Sequence, residues 1–224
     1  MNVLFEDAQL IVCVKPTGIL SQSSPQSLPG EDMLSLLGEE RHCTIYPLHR
    51  LDRGTSGVMV FAKTKRAAGE LSARIAEGAL QKEYLCVAHG VPAPAEGEMT
   101  DLLYHDAARG KTFVVDRMRR GIREAALDYR LLQTLPGDDP LSLLHIRLRT
   151  GRTHQIRAQF SSRRMPLAGD GKYGARDAFP SPALHAFRLT FPYAGRTLRF
   201  EALPALCDAP WSLFDSLSQP IKEL

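Results

Sequence analysis

The 224-residue chain lacks what a redox, metal-bound or secreted scaffold needs. Its four cysteines, Cys13, Cys43, Cys86 and Cys207, form no C-x-x-C pair. That excludes a zinc ribbon and a dithiol redox motif and fits a reduced, cytoplasmic setting. No His, Cys, Asp and Glu set has metal-ligand spacing, and neither a Walker A loop nor G-x-G-x-x-G occurs, so no cofactor or metal is expected. The apolar run Leu10 to Val14 is only five residues long, and Glu6 and Asp7 stand where a signal peptide would be basic. Export and a membrane span are therefore not expected. Repeats, low-complexity tracts and long Pro/Gly linkers are missing as well, and one compact domain over residues 1–224 is the expectation.

What is present is an ordinary globular composition, 44% hydrophobic and 24% charged. A chain of this length buries roughly 70% of its unfolded surface, enough for a core without disulfides or structural metal. The net charge of +3 is unevenly spread. From Ser142 to Gly169 there are six arginines, at 147, 149, 152, 157, 163 and 164, and no acid; from Arg109 to Glu124 six basic residues face Asp116 and Glu124. Such concentration of Arg is the footprint of a polyphosphate partner, although a solvated basic face gives the same pattern.

Strands are expected at Val3 to Phe5, Leu10 to Val14, Gly57 to Ala62, Gln81 to His89, Lys111 to Asp116, Ala125 to Leu132, Ser142 to Arg149, Phe187 to Phe191 and Leu198 to Glu201. The polar stretch from Ser21 to Gly30 reads as a loop. Thr64 should cap a helix carrying Ala68, Leu71 and Ile75 on one face, with Gly78 ending it. Thr153 should cap a short helix ahead of a turn at Gly169-Asp170-Gly171, and a terminal helix is expected near Trp211. In Ser142 to Arg149, Leu144, Ile146 and Leu148 alternate with His145, Arg147 and Arg149, which places the arginines on one face. Strands outnumber helices and many neighbours are hairpin-like. The expected fold class is α/β of the α+β kind, a mixed, largely antiparallel sheet flanked by helices.

One segment carries chemistry more specifically than the rest. His49-Arg50-Leu51-Asp52-Arg53-Gly54-Thr55-Ser56-Gly57 sets a carboxylate between two guanidinium groups in an irregular loop that leads straight into a strand. Loops held by rigid strands are where catalytic groups concentrate, although a lone Asp in such a loop also serves as a turn or cap residue. The segment resembles the H-R-L-D-x-x-T-S-G signature of the RluA family of pseudouridine synthases. Lys15-Pro16-Thr17-Gly18 resembles that family's K-P-x-G loop, Lys82-Glu83-Tyr84 its K-x-Y strand, and Thr150 to Arg157 its T-G-R-T-H-Q-I-R motif. Gly169-Asp170 with Tyr173-Gly174, then Leu184-His185-Ala186 and Leu203-Pro204, follow in the family's order.

The resemblance implies a pseudouridine synthase catalytic fold and isomerisation of uridine in structured RNA, ribosomal or transfer, without cofactor or metal. Asp52 would be the catalytic aspartate, and the sequence leaves open whether it attacks the ribose, attacks the uracil ring or removes a ribose proton. Arg157 would pair with Asp52 and hold its carboxylate ionised. Tyr84 would stack on the uracil and take or relay the C5 proton. Arg50 would fill the space left by the flipped nucleotide, and His49, Arg53, Lys82, Arg152 and His154 are assigned with it to RNA contact. With the K-P-x-G loop beginning at Lys15, a short form without an N-terminal RNA-binding module is expected, acting in the cytoplasm as a monomer on RNA, with no DNA and no membrane as partner. Two rival readings remain: a catalytically silent RNA-binding or ribosome-assembly factor on the same fold, and a nuclease using His154 and Arg152.

Overall fold

The computed structural model describes residues 1–23 and 30–214. Along the chain lie β1 (Val3–Glu6), β2 (Leu10–Lys15), α1 (Met33–Arg41), β3 (Tyr46–Pro47), β4 (Ser56–Ala62), α2 (Lys65–Ala76), β5 (Gln81–His89) and β6 (Glu96–Asp106). There follow β7 (Lys111–Val115), β8 (Ile122–Leu135), β9 (Leu141–Leu148), α3 (Gln155–Ser162), a 3-10 turn at Gly171–Tyr173, β10 (Leu184–Tyr193), β11 (Arg196–Glu201) and a second 3-10 turn at Trp211–Leu213. They form two compact units, the first made of Met1–Lys82 with His185–Pro204, the second of Glu83–Leu184 with the described residues from Ala205 onward. Among the described residues no helix is long and apolar enough to cross a membrane.

In the first unit the strand order is β1-β2-β4-β10, with β11 on β10 and β3 on β4. β2 is antiparallel to β4, whereas β4 and β10 run parallel, His185 opposite Ser56. β2 and β4 read as unbroken apolar runs because they are buried along almost their whole length. Leu10, Val12, Val58, Val60, Ala62, Leu189 and Phe191 pack with Ala67, Leu71 and Leu80 to make the core. Thr64 caps α2 as expected, its side chain accepting from the Ala67 N–H at 3.2 Å.

The second unit orders its strands β5-β9-β8-β6-β7. β6 is antiparallel to both β7 and β8, and β8 to β9. Ala158 of α3 packs with Leu103 of β6, Ala125 of β8 and Tyr173. The Gln159 amide fastens the helix by donating to the carbonyls of Met99 and Ala125 and to the Asp101 carboxylate.

Besides the two-residue β3, two elements escape the sequence pattern. In α1 the apolar residues crowd into its first turns and Gly38 interrupts the helix, yet the buried Asp32 caps it, accepting from Leu34 and Ser35 N–H. In β6 the acids Glu96, Glu98, Asp101 and Asp106 mask a strand that pairs with β8 through nine residues, Glu96↔Arg130 to Tyr104↔Ile122. Thr153 does not cap α3. That position falls to His154, in the left-handed conformation with φ 52° and no side-chain cap, while the side-chain Oε1 of Gln155 accepts from the Arg152 N–H and the Thr150 hydroxyl. Near Trp211, where a terminal helix is expected, the described residues form a 3-10 turn at Trp211–Leu213; residues 215–224, and 24–29 of the expected loop, lie outside the described residues.

Candidate active site

Asp52 occupies a turn closed by Thr55 N–H donating to its carbonyl at 3.0 Å, four residues before β4 begins. Two motifs far apart in sequence build that turn together. Lys15, fully buried at the end of β2, donates from Nζ to the carbonyls of Pro16, Ile19 and Arg53 at 2.9, 2.6 and 3.3 Å. Gly18 N–H donates to the Arg53 carbonyl at 2.9 Å, and Arg53 Nε returns a bond to the Gly18 carbonyl at 2.8 Å. Ser21 clamps the preceding residue, its hydroxyl donating to the Leu51 carbonyl at 2.7 Å and accepting from Leu51 N–H at 2.9 Å. Burial pushes the Lys15 ammonium down to about 8, and the Asp52 carboxylate acts in the opposite sense. A buried cation thus lies within the field of the Asp52 carboxylate.

The strand that follows is pinned at its start. His185 donates from Nε2 to the Ala202 carbonyl at 2.9 Å, so its Nδ1 accepts from the Ser56 hydroxyl at 2.8 Å. Burial holds this ring down to about 4, which keeps it neutral in that role. Gly57, at φ 123°, passes so close to β10 that a Cβ there would lie 2.3 Å from the Ala186 carbonyl oxygen. Only glycine fits this crossing.

Arg157 lies in the second unit on α3, and its guanidinium is buried. It meets the buried Asp170 at two points, Nε to Oδ2 at 2.6 Å and Nη2 to Oδ1 at 2.8 Å, and its other face covers the Tyr173 ring at 4.9 Å. The Tyr173 hydroxyl accepts from Thr112 N–H at 2.7 Å and bonds to His154 Nδ1 at 3.0 Å. Thr112 in turn donates to the Thr153 carbonyl at 2.8 Å. Arg157 is therefore held on an acid and an aromatic face before any substrate arrives. Neither Asp170 nor Tyr173 received a role from the sequence, although both lie in matched landmarks; a buried arginine needing a buried acid was the available signal. Tyr84 is buried on β5, where Glu83 pairs with His145 at 2.8 Å.

The residues assigned to RNA contact differ in exposure. Arg50 is exposed. Arg53 and Arg152 are exposed too but commit Nε to backbone, Arg152 donating to the Glu124 carbonyl at 3.0 Å. Lys82 and His154 are half-buried, and burial lowers the Lys82 ammonium. His49 accepts the Val60 N–H at Nε2, 3.2 Å, and its Nδ1 is buried with no hydrogen-bond partner among the described residues. Burial, aided by the charge of Lys82, pushes its ring down to about 3, so His49 is neutral near pH 7 and serves the backbone of β4. Among the described residues no group of His, Cys, Asp and Glu is placed to hold a metal ion.

The model of the RNA pseudouridylate synthase family matches residues 9–162, well over half the chain. An uncharacterized RNA pseudouridine synthase of Synechocystis sp. is 32% identical over 215 residues, which cover 88% of this chain and 64% of that protein. Ribosomal large subunit pseudouridine synthase D of Nitrosomonas europaea is 31% identical over 243 residues, covering 99% of this chain and 69% of that protein. The chain thus spans about two thirds of the length of these curated relatives. Among solved structures, human RNA pseudouridylate synthase domain containing 1 shares the fold, with a TM-score of 0.79 at 21% identity over 99% of this chain and 93% of that one.

Proposed function

The chain belongs to the RNA pseudouridylate synthase family, and from that membership we propose that it isomerises uridine to pseudouridine in structured RNA with Asp52 as the catalytic aspartate. The N1 bond to the ribose breaks, C5 bonds to the same ribose carbon, the C5 proton leaves and N1 gains a proton, so the base is conserved in atoms and charge. Asp52 supplies the carboxylate, Arg157 the guanidinium that keeps it ionised, and Tyr84 the platform for the uracil and the route for the C5 proton. Arg50 fills the gap left by base extrusion, which costs a few kcal/mol. Arg53, Lys82, Arg152 and His154 complete the RNA contacts, whereas His49, whose Nε2 accepts the Val60 N–H and whose Nδ1 is buried, serves the loop and strand behind them. Residues 1–224 act as one catalytic domain, a cytoplasmic monomer that takes RNA and neither DNA nor membrane. The name of the Nitrosomonas relative makes large-subunit ribosomal RNA the first substrate to test and transfer RNA the second.

The observation that carries this reading is the buried Lys15 knitted into the Asp52 turn. A silent RNA-binding protein gains nothing from a carboxylate facing polyanionic RNA, still less from a desolvated lysine that supports it. The test uses RNA tritiated at C5 of uridine, which must lose label to water as product forms. Asp52→Asn should lose essentially all release while keeping its melting temperature and RNA affinity, because removing a negative charge removes repulsion toward phosphates. Near wild-type release from folded Asp52→Asn would overturn the assignment; shortened RNA would favour the nuclease.

A further inference from the structure

We propose that Asp177 is a positioning residue for Arg157, acting through the Gly169–Asp170 turn, and that His89 braces Asp177 for this duty. The inference rests on the catalytic assignment of Arg157 made above. Asp170, which fixes Arg157 at two points, owes its own place to a tight turn: its N–H donates to the Leu167 carbonyl at 3.0 Å, and its carbonyl accepts from Tyr173 and Ala175 N–H at 2.9 and 3.1 Å. The peptide just before it is gripped from outside. Gly169 N–H donates to both carboxylate oxygens of Asp177, at 2.9 and 3.0 Å. Gly169 has φ 78°, and a Cβ there would lie 2.0 Å from the Ser181 carbonyl oxygen, so no other residue can lay the peptide along this path.

Asp177 is itself held on two sides. Its Oδ1 accepts from Phe179 N–H at 3.0 Å, and its Oδ2 meets His89 Nε2 at 2.6 Å. His89 Nδ1 meets Asp139 Oδ2 at 2.7 Å, and the Asp139 side chain is 72% exposed, so the brace runs from solvent to the turn. Burial opposes ionisation of Asp177, but the N–H of Gly169, the ring of His89 and the N–H of Phe179 outweigh it and hold the carboxyl below its ordinary range. Among the described residues the hydrogen-bond partners of Asp177 are Gly169, His89 and Phe179, and no arginine is one of them. Its hold on Arg157 is therefore indirect. The backbone alone already closes the Asp170 turn; the added carboxylate and imidazole fix where that turn points. A two-point guanidinium contact tolerates little displacement, and a misplacement of about 1 Å can cost roughly a hundredfold in rate.

The test compares Asp177→Ala with Asp177→Asn in the full chain, reading kcat and KM for C5 tritium release, the melting temperature, and the exchange of the Arg157 Nε hydrogen with water by NMR. Asp177→Ala should lower kcat about tenfold to a hundredfold with KM little changed, and should quicken the Nε exchange. Asp177→Asn still offers an oxygen to Gly169 N–H and should restore most of both. Should Asp177→Ala not fold, His89→Asn, which withdraws the imidazole that links Asp177 to Asp139 and leaves the Asp177 carboxylate in place, carries the same readouts. Unchanged Nε exchange and kcat in the variant would overturn the proposal, as would equal losses in the Ala and Asn variants that follow the melting temperature alone. The exchange measurement needs no RNA. Quickened exchange, in a protein whose wild type releases no tritium from any RNA, would remove the reaction and keep the brace; unchanged exchange with full wild-type release would do the reverse.

Discussion

Between residues 142 and 169 three of the six arginines turn toward acids of neighbouring elements, whereas between 109 and 124 most of them stand in solvent. Arg149 bridges Glu98 and Asp128, two like charges that face each other across β6 and β8, at 2.7 and 2.5 Å. Arg157 is buried on Asp170, and Arg163 reaches Asp101 at 2.9 Å. By contrast Arg119, Arg120 and Arg123 are exposed and have no acidic partner among the described residues, and Met118 just before them is 59% exposed. Two Arg-rich stretches of the chain therefore become unequal fields in the fold. Acids on β6, on β8 and in the Gly169–Asp170 turn pair with three arginines of the first stretch, while Arg119 and Arg120 in the loop after β7 and Arg123 on β8 carry their charge outward.

The comparison breaks most readily at Arg157. Arg157→Met should leave Asp170 buried and unpaired, lowering the unfolding free energy by about 3–5 kcal/mol and ending turnover. Denaturant titration checks the first effect and tritium release the second; RNA affinity should barely move, since this arginine faces inward. A wild-type melting curve would mean that the pair contributes little.

Lys15 sharpens the contrast from the other unit as a second inward cation. Its proton is held less tightly when folded than the ordinary 10.5 of an unfolded lysine, so from about 8 to 10.5 the unfolded chain binds more protons and stability rises with pH. Relative to Lys15→Met, the wild type should gain up to about 3 kcal/mol across that window, with the full penalty remaining below it. Turnover should fall through the same window as Asp52 loses its cation, and stability that falls relative to Lys15→Met would refute the burial argument.

Replacing Arg119, Arg120 and Arg123 by Gln should act on RNA alone. Each phosphate contact contributes roughly 0.7 to 0.9 to the slope of log affinity against log salt, so the triple variant should lose roughly two units of slope while melting as the wild type does. An unchanged slope would mean that the outward arginines are not RNA contacts. The smallest effect belongs to Arg163→Gln, whose half-exposed pair with Asp101 should give less than about 1 kcal/mol and no change in salt slope.

Much of this was legible from residue types alone. β2, β4 and β5 announced themselves as apolar runs, and α2 through Thr64 and its spaced Ala68, Leu71 and Ile75. The Asp52 loop was legible as a motif, and Lys15-Pro16-Thr17-Gly18 as a second one. That the two are one hydrogen-bonded structure was not, because nothing local in the chain says that Lys15 Nζ ends beneath Arg53. Long-range acid partners were equally silent: the basic look of residues 142–169 depended on ignoring Asp101, Asp128 and Asp170. β6 was hidden because its hydrophobic face is read only against α3, whereas its charges are in plain view.

The parallel pairing of β4 with β10 has a consequence for synthesis. The two residues that join there by hydrogen bond, Ser56 and His185, are separated by 129 positions, with nearly all of the second unit encoded between them. At roughly 5 to 20 residues per second, a ribosome needs roughly 6 to 26 s to make that interval. Throughout it β4 has β2 on one side while the edge owed to β10 stays open. The second unit can complete its own sheet in that time, so the N-terminal part of the chain, though made first, is the last to close.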